Sequence, residues 1–233
     1  MTYKVEVAGA SVFVAWGPPC TPSTVADWMR RWSATCPAAK VEELCRSREG
    51  RPVPMLRVME GTLPRSKRLG IWVQARQHAW EAGTSFILEG ALRFVAADDE
   101  AAKKLREQII FKFTPMLDPD GCALGKVRFN AHGYDVNRHW DEVNLRDPRW
   151  LRVMPEIWYA KQWLLAAHVQ RPIDVMVNLH NTETAEYLDT MVDDEPGQAT
   201  YRVADTNNPN LKPWAVDELK RYNEKVFKGE IGT

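Results

Sequence analysis

Apolar and polar residues change rhythm along the chain. Val5 to Trp16 alternates and is rich in β-branched residues, which predicts one or two strands. Gly17-Pro18-Pro19 breaks that run. From Pro22 to Ala34 the period lengthens to that of a helix, with Ser23 or Thr24 placed to cap it. Ser47 to Pro52 reads as a turn between two short strands, the second at Val53 to Met59, and Gly61 to Arg68 as a polar connection. Leu69 to Val73 is a strand. In Gly83 to Ala96 apolar residues recur at Phe86, Ile87, Leu92 and Val95, with Leu88 and Ala91 widening the stripe, as in a helix packed on a sheet. A more polar helix, Asp98 to Gln108, precedes a strand at Ile109 to Pro115. Met116 to Gly121 turns into a loop that runs to Trp140. Pro155 to Val169 is an amphipathic helix with proline in its first turn. Ile173 to Leu179 is a buried-looking strand, and Ala215 to Phe227 a last helix.

Strands that alternate with helices predict an α/β fold with a mixed, largely parallel central sheet flanked by helices. The break near residue 18 divides the chain into a β-domain remnant at 1–18 and a main domain at 19–233.

Composition narrows the function classes. The 233 residues carry 31 basic and 31 acidic side chains, so the formal net charge is zero. A general nucleic-acid or anionic-membrane binder needs a basic excess, and neither partner is expected. No run approaches the roughly 20 apolar residues of a membrane span, and the start lacks a signal peptide's layout. Cys20, Cys36, Cys45 and Cys122 are scattered without C-x-x-C pairing, which fits reduced thiols in a cytoplasmic protein.

Two strand ends carry candidate chemistry. His78 and Glu81 follow the strand at 69–73, three residues apart, and His180 follows the strand at 173–179. Two imidazoles and a carboxylate can hold a catalytic zinc and leave a fourth position open, and α/β sheets build sites at the carboxyl ends of strands. A lone histidine at a strand end is more often a satisfied structural residue, and only the fold can bring His180 to the other two.

The loop narrows the choice. His78-Ala79-Trp80-Glu81, then Asp135-Val136-Asn137-Arg138, then His180 stand in the order found in zinc metallocarboxypeptidases. Phe113-Thr114-Pro115-Met116-Leu117-Asp118-Pro119-Asp120-Gly121 resembles the Pro-Met-Leu-Asn-Pro-Asp-Gly signature of the cytosolic carboxypeptidase branch, and Phe86-Ile87-Leu88-Glu89-Gly90 its following helix. The chain therefore resembles that branch of the carboxypeptidase A superfamily, over roughly residues 70–185. The resemblance implies a phosphorylase/hydrolase-like sheet and Zn²⁺ held by His78, Glu81 and His180. It implies a clamp for the substrate's terminal carboxylate at Asn137 and Arg138, whose planar fork suits a carboxylate. It implies Arg128 as the group that stabilises the oxyanion. The expected reaction removes the C-terminal residue of a peptide or protein tail.

Other residues read as structural. His132 and His139 are loop histidines, His168 a helix residue, and Asp118 and Asp120 belong to a turn rather than a calcium site. The resemblance also demands a glutamate general base on a late strand. Glu183, Glu186, Glu195, Glu218 and Glu224 do not suit that position, and Glu230 is a weak candidate. The base is expected beyond Thr233, with the chain a segment cut at both ends. Two alternatives follow: a zinc amidohydrolase acting on N-acyl amino acids or cell-wall peptides, and a zinc-stabilised peptide-binding module lacking its base.

Overall fold

Helix α1 (Pro22–Thr35) begins where the sequence places it, but its cap is Thr21. Proline at the first helical position has no N–H to satisfy, so the cap falls on the residue before it. Thr21 Oγ1 accepts from Thr24 N at 3.2 Å, and Thr24 Oγ1 accepts from Thr21 N at 3.3 Å. The computed structural model describes residues 18–170, with side chains as far as 165, and 173–181. The strands expected at 5–16, the helix at 215–227, the side chain of His168 and the late glutamates lie outside the described residues.

Strands β1 (Ala39–Arg46) and β2 (Pro52–Val58) form an antiparallel hairpin around the Ser47–Pro52 turn. Its register shifts between Glu43 and Cys45, opposite Pro54, which has no N–H to give to a ladder. After a short 3-10 turn at Arg65–Lys67 come β3 (Leu69–Gln74), α2 (Ala82–Val95), α3 (Glu100–Gln108) and β4 (Ile109–Thr114). The expected turn at Met116–Gly121 contains a helical turn, α4 (Pro119–Ala123), capped by Asp118. Helices α5 (Pro148–Val153) and α6 (Pro155–Gln170) lead to β5 (Val175–Asn178). No sequence expectation covered α5, which begins on the Asp147-Pro148 cap.

The sheet order is β1-β2-β4-β3-β5. β3 runs parallel to both β4 and β5, and β2 runs antiparallel to both β1 and β4, so the sheet is mixed as expected. The side chains of Val73 and Ala75 join Val25, Trp28, Met29, Leu88, Leu92 and Phe113 in one core cluster. Trp72 faces the other way, with Leu117, Val136, Met154 and Ile157. That alternation follows from the two-residue period of a strand. It also puts Gln74 on the same face as Trp72, which matters for the site.

Buried cations are satisfied within the fold. Arg68 donates to the carbonyls of Glu60, Gly61, Leu63 and Arg106, pinning the polar connection that feeds β3. Lys112 lies with Nζ 3.7 Å above the Trp163 ring, and burial lowers its pKa to about 8. All four cysteines are free. Among the described residues no helix is long and apolar enough to cross a membrane.

Candidate metal centre

His78 and Glu81 sit on a turn between β3 and α2 that the backbone holds under strain. Arg76 has φ 61°, a left-handed conformation that costs a non-glycine residue about 1–2 kcal/mol. Its own side chain offsets this. The guanidinium donates through Nε and Nη2 to Ala79 O at 2.9 and 2.6 Å, and through Nη1 to Cys20 O at 3.2 Å. Arg76 N donates to Thr84 Oγ1 at 3.2 Å, and Thr84 Oγ1 donates to Glu81 O at 2.7 Å. Asp118 N donates to Arg76 O at 3.0 Å, which ties the turn to the end of β4. Glu81 immediately precedes α2 yet makes no side-chain capping bond. Its carboxylate is turned to the histidines instead.

β5 brings in the third group. Its parallel register sets Gln74 against Asn178, and the chain continues two residues to His180. Gly83, at the start of α2, makes room for this. A Cβ there would lie 2.9 Å from Asn181 Nδ2.

The donor atoms of His78, Glu81 and His180 lie within 4.8 Å of one another, the one such cluster among the described residues. His78 Nδ1 is 2.7 Å from Glu81 Oε1, and His180 Nδ1 is 3.1 Å from Glu81 Oε2. His78 and Glu81 are buried, each 2% exposed, while His180 is partly open. The sequence-expected trio therefore meets at one point.

The outer nitrogens decide what that point can hold. His78 Nε2 is 3.1 Å from Asp135 Oδ1, and His180 Nε2 is 3.1 Å from Gln77 Oε1. Asp135, ionised, is an acceptor only. Each ring therefore carries its hydrogen on Nε2 and, when neutral, turns the Nδ1 lone pair towards the Glu81 carboxylate. Two lone pairs and an anion facing one another call for a cation at their centre. An imidazole backed by a carboxylate or carbonyl oxygen is the usual arrangement behind a metal-ligating histidine. The donor set fits zinc.

The electrostatics favour positive charge at the same point. Burial pushes the Glu81 carboxyl up, but hydrogen bonds and charge from His180 and His78 outweigh it and hold its pKa below the ordinary value. Burial pushes the His78 imidazole down, but Glu81 and Asp135 more than reverse this, so it stands above its ordinary value. Asp135 is held low despite burial by the Asn137 N–H, His78 and Arg128.

The loop at 124–140 docks on this turn. Trp80 N donates to Val127 O at 2.9 Å, and Gln77 Nε2 donates to Val136 O at 3.2 Å. Arg128 Nε donates to Asp135 Oδ2 at 2.7 Å. Asn137 N donates to Asp135 Oδ1 at 2.9 Å, and the Asn137 side chain is partly open. Arg138 is exposed and donates to Asn137 O. The loop residues named from the sequence thus lie on one loop, with Arg128 joined to the metal trio through Asp135 and Arg138 reaching into solvent.

His132 pairs with Glu49 and His139 with Glu142, both away from the trio. Asp118 caps α4, and Asp120 accepts from Ser47 Oγ, Glu49 N and Arg51, so both serve structure.

Sequence reasoning gave no role to Asp135, Gln77, Asn178 or Gln74. The signal for Asp135 was its place two residues before Asn137. For the amides it was polar side chains in otherwise apolar strand ends.

Comparison with known proteins bears on the assignment. The family model described as zinc carboxypeptidase matches residues 25–210. Cytosolic carboxypeptidase 2 of Danio rerio is 31% identical over 188 residues, 77% of this chain and 25% of that protein. The chain thus spans about a quarter of that relative's length. Among solved structures, a metallo-carboxypeptidase from Burkholderia cenocepacia is 29% identical, with a TM-score of 0.61 over 71% of this chain and 42% of that one. A metallo-carboxypeptidase from Pseudomonas aeruginosa, solved with (2-guanidinoethylmercapto)succinic acid, is 28% identical, with a TM-score of 0.59 over 71% of this chain and 40% of that one.

Proposed function

The chain belongs to the zinc carboxypeptidase family, and from that premise we propose that it carries the metal seat and carboxylate clamp of a zinc-dependent enzyme that removes the C-terminal residue of peptides or protein tails. The observation that carries this reading is the convergence of two Nδ1 atoms and one carboxylate, with both Nε2 atoms held by outer acceptors.

In this proposal His78, Glu81 and His180 hold Zn²⁺. When bound, zinc supplies Lewis acidity, worth several kcal/mol to charge developing on a carbonyl oxygen. Glu81 provides the one negative charge among the three donors. Asp135 keeps His78 oriented and basic. Asn137 and Arg138 bind the substrate's terminal carboxylate, which the exposed Arg138 side chain meets from the solvent side. Arg128 uses Nε for Asp135. The far edge of its fork is proposed to meet the oxyanion. No second glutamate joins the cluster among the described residues, so proton transfer is assigned to none of them. A cytoplasmic setting is proposed on the relatives' names.

The test is binding and hydrolysis of a chromogenic peptide by the zinc-loaded chain, with free and amidated C-termini compared. The proposal expects a preference for the free carboxylate that Arg138→Ala abolishes. Equal affinity for both peptides would refute the clamp. Peptide binding without turnover would leave the chain a binding module.

A further inference from the structure

The nitrogen that His180 turns to the seat is set by side chains that never touch it. Trp72 Nε1 donates to Gln74 Oε1 at 3.0 Å, and Gln74 Nε2 to Asn178 Oδ1 at 3.1 Å. Asn178 Nδ2 donates to Gln77 Oε1 at 2.7 Å, and Gln77 Nε2 to Val136 O at 3.2 Å. Gln77 Oε1 is also the partner of His180 Nε2. Trp72, Gln74 and Gln77 are buried, at 1% exposure or less, while Asn178, which links Gln74 to Gln77, is exposed at the end of β5.

An amide can be turned end for end, but this chain has only one workable polarity. It starts on an indole N–H, which can only donate, and ends on a backbone carbonyl, which can only accept. Turning all three amides would face N–H against N–H at Trp72 and oxygen against oxygen at Val136. Val136 directly, and Trp72 and Gln74 through Asn178, therefore favour the Gln77 orientation that shows its oxygen to His180. We propose that Trp72, Gln74, Asn178 and Gln77 form a relay of positioning residues that fixes His180 in the Nε2–H tautomer, leaving Nδ1 free for the metal. This rests on the metal-centre reading above.

The relay can be reversed from a distance. Asn178→Asp keeps the shape but removes the donor to Gln77. The new carboxylate repels Gln77 Oε1, so Gln77 is drawn to turn its Nε2 to it and to His180, giving up its bond to the Val136 carbonyl, and His180 Nε2 must then become the acceptor. The hydrogen moves to Nδ1, against the seat. Gln74→Glu sends the same reversal through two amides. Asn178→Leu removes the donor without reversing anything, because Val136 still holds Gln77.

The experiment measures zinc affinity of the 233-residue chain by competition with a chromophoric chelator, alongside thermal midpoints of the metal-free forms. The relay predicts a loss of about tenfold or more for Asn178→Asp, the lower end of what outer partners contribute, with a smaller loss for Gln74→Glu and the least for Asn178→Leu. Charge alone predicts the reverse, since an added carboxylate near a cation tightens it. Long-range proton–nitrogen NMR of the metal-free, histidine-labelled chain should find the hydrogen of neutral His180 on Nε2 in the parent and on Nδ1 in Asn178→Asp. If Asn178→Asp does not fold, Gln74→Glu carries the same two readouts. Normal zinc binding by the parent with equal effects of Asn178→Asp and Asn178→Leu would overturn the relay alone. No zinc binding by the parent would overturn the metal-centre reading and the relay with it.

Discussion

The two imidazoles of the seat are backed in different ways. Behind His78 stands an ion pair: Asp135 takes the Nε2 hydrogen while Arg128 and the Asn137 N–H hold Asp135. Behind His180 stands a line of neutral amides that ends on a tryptophan. A carboxylate behind an imidazole raises its basicity as well as orienting it, whereas an amide oxygen mainly orients. The more deeply buried ring has the charged backing. Charge is worth more where water is excluded, and a buried carboxylate needs the compensation that Arg128 provides. The more open ring on the β5 side has the neutral backing, and there geometry does the selecting.

The comparison can be broken hardest at the shared carboxylate. Glu81→Ala removes the seat's only anion and leaves two neutral rings. Zinc affinity should fall by more than the roughly 10–100-fold expected of any outer partner, read by chelator competition. A smaller loss would mean that the metal sits elsewhere.

Asp135→Asn separates charge from orientation on the His78 side. It should weaken zinc binding by about 10–100-fold and exceed the effect of Asn178→Leu on the amide side. Equal losses would show that charge adds nothing to orientation. Arg128→Ala should cost only a few-fold in zinc affinity, because Asn137 N and His78 still hold Asp135. Its larger effect should fall on kcat, by about a hundredfold, if the free edge of its fork meets the oxyanion. A kcat loss no greater than the affinity loss would make it a positioning residue alone.

Glu156 provides the contrast without a cation. It is 4% exposed at the start of α6, and burial pushes its carboxyl up from 4.5 to about 8, with Asp118 and Asp120 adding to the rise. A carboxyl raised in the folded state binds a proton that the unfolded chain gives up. Its stabilising contribution is complete below about pH 4 and declines as pH rises towards 8. Glu156→Gln should leave zinc affinity unchanged and raise the melting temperature at pH 9 by roughly 3 °C or more, with little gain at pH 4. The same gain at both pH values would remove the titration from the account.

Much of this was legible from the residues. The strand runs before His78 and His180 gave the strand ends, and the Phe86–Val95 stripe gave α2. The Asp135–Arg138 motif tied the loop to the seat. The cap of α1 was misplaced because Thr21 lies outside the apolar pattern and is specified only by the proline after it. The structural use of Asp118 as a cap was legible from Pro119 and Gly121. The relay was not legible. Gln74 and Asn178 lie 104 positions apart and meet only through the parallel register of β3 and β5. In the sequence each reads as a polar residue closing an apolar run. Likewise nothing in the sequence marks Arg76, whose positive φ and guanidinium bonds to Ala79 O appear only in the fold.

The most direct measurement is the zinc content of the dialysed 233-residue chain beside His180→Ala, determined by mass spectrometry of the metal. The account predicts close to one zinc per parent chain and close to none in the variant. A parent without zinc, or a variant that keeps it, would contradict the seat formed by His78, Glu81 and His180.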